Sequence, residues 1–208
     1  MRKAKNNSIN RVLEATNSQE LLAGYKDWAG DYDEDLNELG YVAPLGTVQM
    51  LMRLLENKDA LILDAGCGTG LVGELLNKAG YVSIDALDYS QEMLDQAEEK
   101  DVYNSLLCAD MNQTLDIPDN TYDAVTCVGA FTYGHVTSEA FHEIIRIIKP
   151  GGLFCFTVRD EVFHEQDYRK HMLELEWKGT WELQELRHED YIVKENTCCK
   201  LAAYRILT

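Results

Sequence analysis

Glycines at 66, 68 and 70 stand between a hydrophobic run and an amphipathic one. The stretch Leu61-Ile-Leu-Asp-Ala-Gly-Cys-Gly-Thr-Gly70 leads into Leu71-Val-Gly-Glu-Leu-Leu-Asn-Lys-Ala-Gly80, whose apolar residues recur at helical spacing. The order is buried strand, tight loop, helix. Such a loop turns backbone N–H groups toward a helix N-terminus, where partial positive charge gathers. Glycine lets the chain bend sharply and lets a ligand approach where a Cβ would collide. The stretch therefore suits a nucleotide or nucleoside. The dinucleotide fingerprint G-x-G-x-x-G/A needs a small third residue, and Leu71 stands there instead. The pattern present is D-x-G-x-G-x-G, from Asp64 to Gly70. A carboxylate at the strand end suits a ligand with an ammonium group better than a pyrophosphate.

Other strand ends carry chemistry too. Ligands in open parallel sheets sit beyond the carboxyl ends of the strands. Asp88, in Ile84-Asp-Ala-Leu-Asp-Tyr-Ser90, lies about twenty residues past the loop, the distance at which an acid reaches both hydroxyls of a ribose. Asp85 is the rival acid and reads better as a strand-edge charge. Asp110 could accept from an exocyclic amine while the Met111 N–H donates to a ring nitrogen, or Asp110 could cap a helix or a loop. Asp64 could attract an ammonium group, tie down the loop's own N–H groups, or do both. The fourth strand runs into Val128-Gly-Ala-Phe131, followed by Tyr133 and His135. His135 is a candidate general base, its unperturbed pKa being about 6.5, or simply a polar loop residue. Tyr25, Trp28 and Tyr32 form an aromatic stripe that either caps a pocket or packs on the core.

Leu63-Asp-Ala-Gly-Cys-Gly-Thr-Gly70 closely resembles the first motif of the class I S-adenosylmethionine-dependent methyltransferases, and the similarity runs on in order over roughly residues 44–208. The resemblance implies S-adenosyl-L-methionine as cofactor and S-adenosyl-L-homocysteine as product. It assigns Gly66, Gly68 and Gly70 to the methionine part, with Asp64 orienting that part and Cys67 and Val128 alongside. It assigns Asp88 to the ribose, Tyr89 to the adenine face, and Asp110 with Met111 to the adenine edge. Tyr25-Lys-Asp-Trp-Ala-Gly-Asp-Tyr32-Asp33 is similar to the Y-x-x-W-A-x-x-Y-D stretch of small methyltransferases related to the Williams–Beuren syndrome chromosome region methyltransferase-like protein. Tyr32 is accordingly expected to touch the cofactor, whose poorly hydrated sulfonium suits aromatic faces. Tyr25, Trp28, Gly129, Phe131 and Tyr133 are expected around the substrate. Val128-Gly-Ala-Phe131 lacks the N/D-P-P-Y/F/W signature of enzymes that methylate amide or nucleobase nitrogens. A catalytic side chain is not required, because holding a good nucleophile in line supplies much of the rate. Tyr133 and His135 are the candidates if there is one.

Positioning these residues takes a scaffold of alternating elements. Residues 1–15 are expected to fray, with a capping box from Thr16 to Gln19. Leu22 to Tyr32 repeats at helical spacing and Gly40 stops the run; Pro44 suits the first turn of a second helix. Strands are expected at 60–64, 81–87, 105–109, 122–128 and 153–158, and helices at 70–79, 91–100 and 138–149. Near-continuous apolar strands in β-α-β order argue an α/β fold with a parallel sheet covered on both faces. Residues 166–178 can be helical. Residues 181–193 and 197–207 are strand-like and so closely linked that they must be antiparallel. The resemblance implies a Rossmann-like, doubly wound, seven-stranded sheet whose last strand runs antiparallel between its neighbours. The expected division is an N-terminal tail and helical cap over 1–43 and a methyltransferase domain over 44–208.

Composition narrows the partners. The chain has 208 residues, 46% of them hydrophobic, with a formal charge of −17. Phosphate backbones are repelled by such a chain unless one face is locally basic, which disfavours nucleic acid. The first residues carry charge without an apolar core, so no signal peptide is read, and no run approaches the ~20 apolar residues of a membrane span. A cytoplasmic setting fits six cysteines without a C-x-x-C, and no metal site is expected. The leading expectation is in-line methyl transfer to O, N or S of a small molecule. The alternative is a non-catalytic cofactor-binding regulator or partner protein, motivated by the missing catalytic signature and the acids of 31–38. A dehydrogenase is disfavoured by Leu71.

Overall fold

The residues Ile62–Ala65 form strand β1, and all four are buried, the carboxylate of Asp64 included, as in a strand covered on both faces. The computed structural model describes Val12, residues 18–132 and residues 136–208. Thr16, Tyr133 and His135 lie outside the described residues. In chain order the helices are α1 (Ser18–Trp28), α2 (Tyr32–Leu39), α3 (Ala43–Leu54), α4 (Leu71–Lys78), α5 (Gln91–Glu98), α6 (Ala140–Ile147), α7 (Asp160–Glu165) and α8 (Tyr168–Trp177). The remaining strands are β2 (Ile84–Asp88), β3 (Ser105–Cys108), β4 (Tyr122–Phe131), β5 (Ile148–Arg159), β6 (Trp181–Ile192) and β7 (Thr197–Ile206).

They form one seven-stranded sheet in the order β3-β2-β1-β4-β5-β7-β6. β1 pairs in parallel with β2 on one side and β4 on the other. The chain winds outward from β1 in one direction and then returns to wind outward in the other. That reversal opens a crevice above β1 and β4, where doubly wound sheets bind ligands. β7 runs antiparallel to both β5 and β6, so the expected doubly wound architecture with its antiparallel strand is the one observed.

Side-chain alternation splits the core into two layers. Phe154 and Phe156 of β5 point to one layer, Leu153 and Cys155 to the other. The first layer is aromatic: Phe131, Phe141, Phe156, Tyr168 and Trp181 pack with ring centres about 5–6 Å apart, as at Phe131–Phe141, 5.0 Å, and Phe131–Phe156, 5.6 Å. The second packs α3, α4 and the N-terminal helices on the opposite face.

Three details depart from the periodicity. The helical run expected to end at Gly40 breaks at residues 29–31, next to the poor helix former Gly30. Trp28 spans the break, its Nε1–H donating to Asp35 Oδ2 at 3.0 Å. Gly40 does cap α2, in the left-handed conformation. β5 starts at Ile148, before Pro150-Gly-Gly, because Ile148 already pairs with Tyr122. β4 runs past residue 128 to Phe131, and its pairing with β5 slips between Cys127 and Phe131, around Gly129 at φ +83°. Among the described residues no helix is long and apolar enough to cross a membrane.

Phe131 is fully buried among the rings. Phe131→Ala is expected to cost about 3–5 kcal/mol of stability, by lost transfer and a cavity that rigid neighbours leave open. Chemical denaturation measures this, and a loss under ~1 kcal/mol would contradict the packing described.

Candidate functional site

The glycine loop begins where β1 ends. Gly66 N–H and Cys67 N–H both donate to Leu87 O, at 2.7 and 3.0 Å, which ties the loop to the end of β2. Gly66 has φ +71°, and a Cβ there would stand 3.2 Å from Ala130 Cβ and 3.3 Å from Met111 Cε. The position needs glycine for its conformation and for its space. Gly68 N–H donates to Asp88 Oδ2 at 2.8 Å, and Ser90 N–H donates to Asp88 Oδ1 at 2.9 Å. Asp88 therefore joins the loop to the first turn of α5, which Ser90 caps by accepting from Met93 N–H. Burial raises the Asp88 pKa, and the N–H donors oppose that.

A cleft of about 790 Å³ opens above these groups. Its floor is Gly66, Gly68, Asp88 and the β4 segment Val128 to Ala130. One wall is Tyr89, Asp110, Met111 and Asn112, and the roof is Leu22, Tyr25 and Tyr32 from α1 and α2. Asp110 Oδ1 accepts from both the backbone N–H and the side-chain amide of Asn112, at 2.9 and 3.0 Å, so it also fixes its own loop. Tyr25 and Tyr32 lie with ring centres 6.5 Å apart. Burial raises both phenol pKa values.

The sequence candidates thus divide. Tyr25, Tyr32, Gly66, Gly68, Asp88, Tyr89, Asp110, Met111, Val128 and Gly129 come together on this cleft. Asp64, Cys67 and Gly70 do not line it. Asp64 is 1% exposed and is capped by Tyr103 Oη–H at 2.7 Å and Thr126 Oγ1–H at 3.1 Å. The Cys67 thiol is turned into the core, and Gly70 lies against Lys100 and Tyr103. Trp28 lines a second, smaller cavity next to the first. Phe131 sits in the aromatic core because the chain after Gly129 re-enters the sheet, so the expectation of a substrate contact at Phe131 is corrected. Asp85 accepts from Tyr122 Oη–H at 3.1 Å on the far side of the sheet end.

Sequence reasoning passed over several residues. Asp33 accepts from Thr69 Oγ1–H at 2.5 Å and pairs with Lys100 at 2.7 Å, while Lys100 also pairs with Glu74 at 3.0 Å. Those contacts hold the start of α2 on the glycine loop. The aspartate that follows Tyr32 in the N-terminal motif was the available signal. Tyr103, 39 residues from Asp64, left no local signal. Among the described residues no group of three metal-ligating side chains could hold an ion.

The family of methyltransferase domains matches residues 63–156. The chain is 38% identical over 164 residues to human Methyltransferase-like protein 27, covering 76% of this chain and 66% of that protein. It is 28% identical to the malonyl-[acyl-carrier protein] O-methyltransferase of Pseudescherichia vulneris, over 70% of this chain and 55% of that one. The chain thus spans about two thirds or less of these relatives. In a solved complex between the Haloferax volcanii Trm112 methyltransferase activator and a methyltransferase, one chain superposes with TM-score 0.68 at 20% identity, over 88% of this chain and 96% of that one. This likeness shows the fold.

Burial lifts the Asp64 pKa to about 6, against the hydrogen bonds from Tyr103 and Thr126 that hold it down. With its folded pKa above the unfolded value, the native chain binds more protons than the unfolded one between about pH 4 and 6. The contribution of Asp64 to stability therefore falls as pH rises through that window. Carbon-13 carboxyl NMR is expected to show Asp64 titrating near 6. In Tyr103→Phe the midpoint should move higher still, because a donor to the ionised form is lost. An unchanged or lower midpoint would show that Tyr103 does not hold the carboxylate.

Proposed function

The chain belongs to the class I S-adenosylmethionine-dependent methyltransferases, and we propose that it transfers the methyl group in line to an oxygen, nitrogen or sulfur of a small-molecule acceptor. The observation that carries this reading is that the main cleft and the smaller cavity beside it share the walls Tyr25, Tyr32 and Gly129. A donor in one and an acceptor in the other would meet across that shared wall.

The residues of the main cleft fit the donor. An ionised carboxylate has about four lone-pair sites, and Asp88 spends one on each of two backbone N–H groups. One site on each oxygen remains for the two ribose hydroxyls. Asp110 has its second oxygen for the adenine amine, with the Met111 backbone beside it and the exposed Tyr89 ring for the base face. Gly66 keeps open a space that a Cβ would fill. Bound there, S-adenosylmethionine supplies an electrophilic methyl on a sulfonium. The walls, among the described residues, offer Asp88 and Asp110 and no lysine, arginine or histidine. That charge pattern favours a cationic ligand over one carrying phosphates.

What the chain contributes to the step is position. In-line attack needs the reacting atoms about 3–3.5 Å apart and aligned. Tyr25 and Tyr32 present ring faces and edges to the shared wall, where a sulfonium gains by cation–π attraction. The acceptor's small size is supported by the second cavity, whose space, about 510 Å³ with open solvent at its mouth included, is smaller than that of the main cleft. The malonyl-[acyl-carrier protein] O-methyltransferase to which the chain is similar acts on oxygen, which lends weight to that acceptor atom.

Calorimetry with S-adenosylmethionine and S-adenosylhomocysteine tests the donor site, and no binding of either would end the reading. Asp88→Ala is expected to weaken both by at least about tenfold, since two hydrogen bonds to a charged acceptor are lost. Wild-type affinity in that variant would remove Asp88 from the site.

A further inference from the structure

The smaller cavity is chemically unlike its neighbour. Its polar groups include Arg159 at the end of β5, Tyr41 between α2 and α3, Tyr191 near the end of β6, Thr132, and the exposed Glu195 at the turn after β6. Apolar and aromatic walls come from Trp28, Leu36 and Ile192. The rings of Tyr41 and Tyr191 meet edge to face with centres 5.0 Å apart and hydroxyls 3.5 Å apart. Their hydroxyls lie directly over Gly129: a Cβ there would stand 2.7 Å from Tyr41 Oη and 3.1 Å from Tyr191 Oη. Gly129 belongs to the shared wall, so the hydroxyl pair stands where donor and acceptor would meet.

Arg159 flanks the pair. Its side chain is 13% exposed, and its guanidinium carbon lies 5.5 Å from the Tyr191 ring centre. Glu161 accepts from Nε at 3.2 Å and from Nη2 at 3.0 Å. That occupies one edge of the guanidinium fork; Nη1 makes no hydrogen bond among the described residues. Glu161, which does not line the cavity, is 41% exposed, and Glu195, the acid that does, is exposed as well. Burial raises the pKa of Tyr41 and pushes that of Tyr191 to about 12, so both phenols keep their protons at neutral pH. They can donate hydrogen bonds and cannot remove a proton.

Hydroxyl donors beside a half-engaged guanidinium, with no base in the pair, suit an acceptor atom that is already ionised. Resting on the reading of the main cleft as the donor site, we propose that this cavity selects monocarboxylates with an apolar body, oriented by Arg159, Tyr41 and Tyr191 for methylation on a carboxylate oxygen. The step forms an oxygen–methyl bond as the sulfur–methyl bond breaks, and its electron pair stays on sulfur. No proton has to leave, because a carboxylic acid is ionised near neutral pH. The methyl ester has lost the charge that Arg159 attracts, which favours release.

Ligand-observed NMR on the full chain saturated with S-adenosylhomocysteine tests this, using 3-phenylpropionate and octanoate beside their primary amides as probes. At least one acid is expected to bind roughly tenfold tighter than its amide, the worth of a charge-assisted hydrogen bond. Arg159→Gln should erase that preference while the Kd for S-adenosylhomocysteine stays within about twofold, and Tyr191→Phe should weaken the acid several-fold. Failure of both acids to bind, equal binding of acid and amide, or a preference that survives Arg159→Gln would overturn the proposal. Titrating S-adenosylhomocysteine into the wild-type chain first separates the two failures. No binding at that stage refutes the donor site, whereas normal binding followed by indifference to charge refutes only the carboxylate pocket.

Discussion

One half-buried carboxylate at the floor of the cleft holds the site in shape. Asp88 accepts from Gly68 N–H of the glycine loop and from Ser90 N–H at the start of α5, so it fastens the end of β2 to the turn that follows β1. Burying an ionised group is costly unless hydrogen bonds compensate it. The two N–H groups provide that compensation. Loop and carboxylate need each other. Without Asp88 the Gly68 N–H would lose its acceptor, and without the loop Asp88 would be a half-buried charge short of one donor. The parallel register Ala65↔Leu87 makes the encounter possible, because it sets the two strand ends side by side at the reversal of strand order.

A second fastening works from outside. Asp33, at the first turn of α2, reaches Thr69 in the loop and Lys100 after α5. A carboxylate at a helix N-terminus is favoured there by the helix dipole, and the lysine adds a partly buried ion pair. The consequence is that the roof formed by Tyr25 and Tyr32 is bound to the same loop that forms the floor. Roof and floor are therefore tied through one loop.

The parts legible in the sequence are those whose partners lie within one β-α unit. The glycine loop, Asp88 and Asp110-Met111 follow a fixed order along the chain, because a doubly wound sheet returns every strand end to the same rim. The Asp64 environment was not legible. Its two neighbours, Tyr103 and Thr126, come from β3's approach and from β4, and no spacing rule brings them to one carboxylate. The Tyr41–Tyr191 pair is further out of reach, 150 residues apart in the chain. It exists because the β6–β7 hairpin folds back and Tyr41 bridges to Ile192. Phe131 misled for another reason. Its stretch follows the fourth strand, where the resemblance puts substrate groups, whereas Phe131 still pairs with Val158 inside the sheet and joins Val125 and Cys127 on the aromatic face.

The slip in β4 has a role beyond geometry. A bulge re-aims the strand around it, and here the residue it frees is Gly129 at positive φ, a conformation that suits glycine. Both cavities use Gly129 as wall, and both tyrosine hydroxyls rest against it. An alanine there would drive a methyl into the Tyr41 hydroxyl and thicken the partition between the cavities. A glycine thus stands at the partition that the two cavities share. Since the neighbouring phenols stay protonated, the site is organised to hold and align.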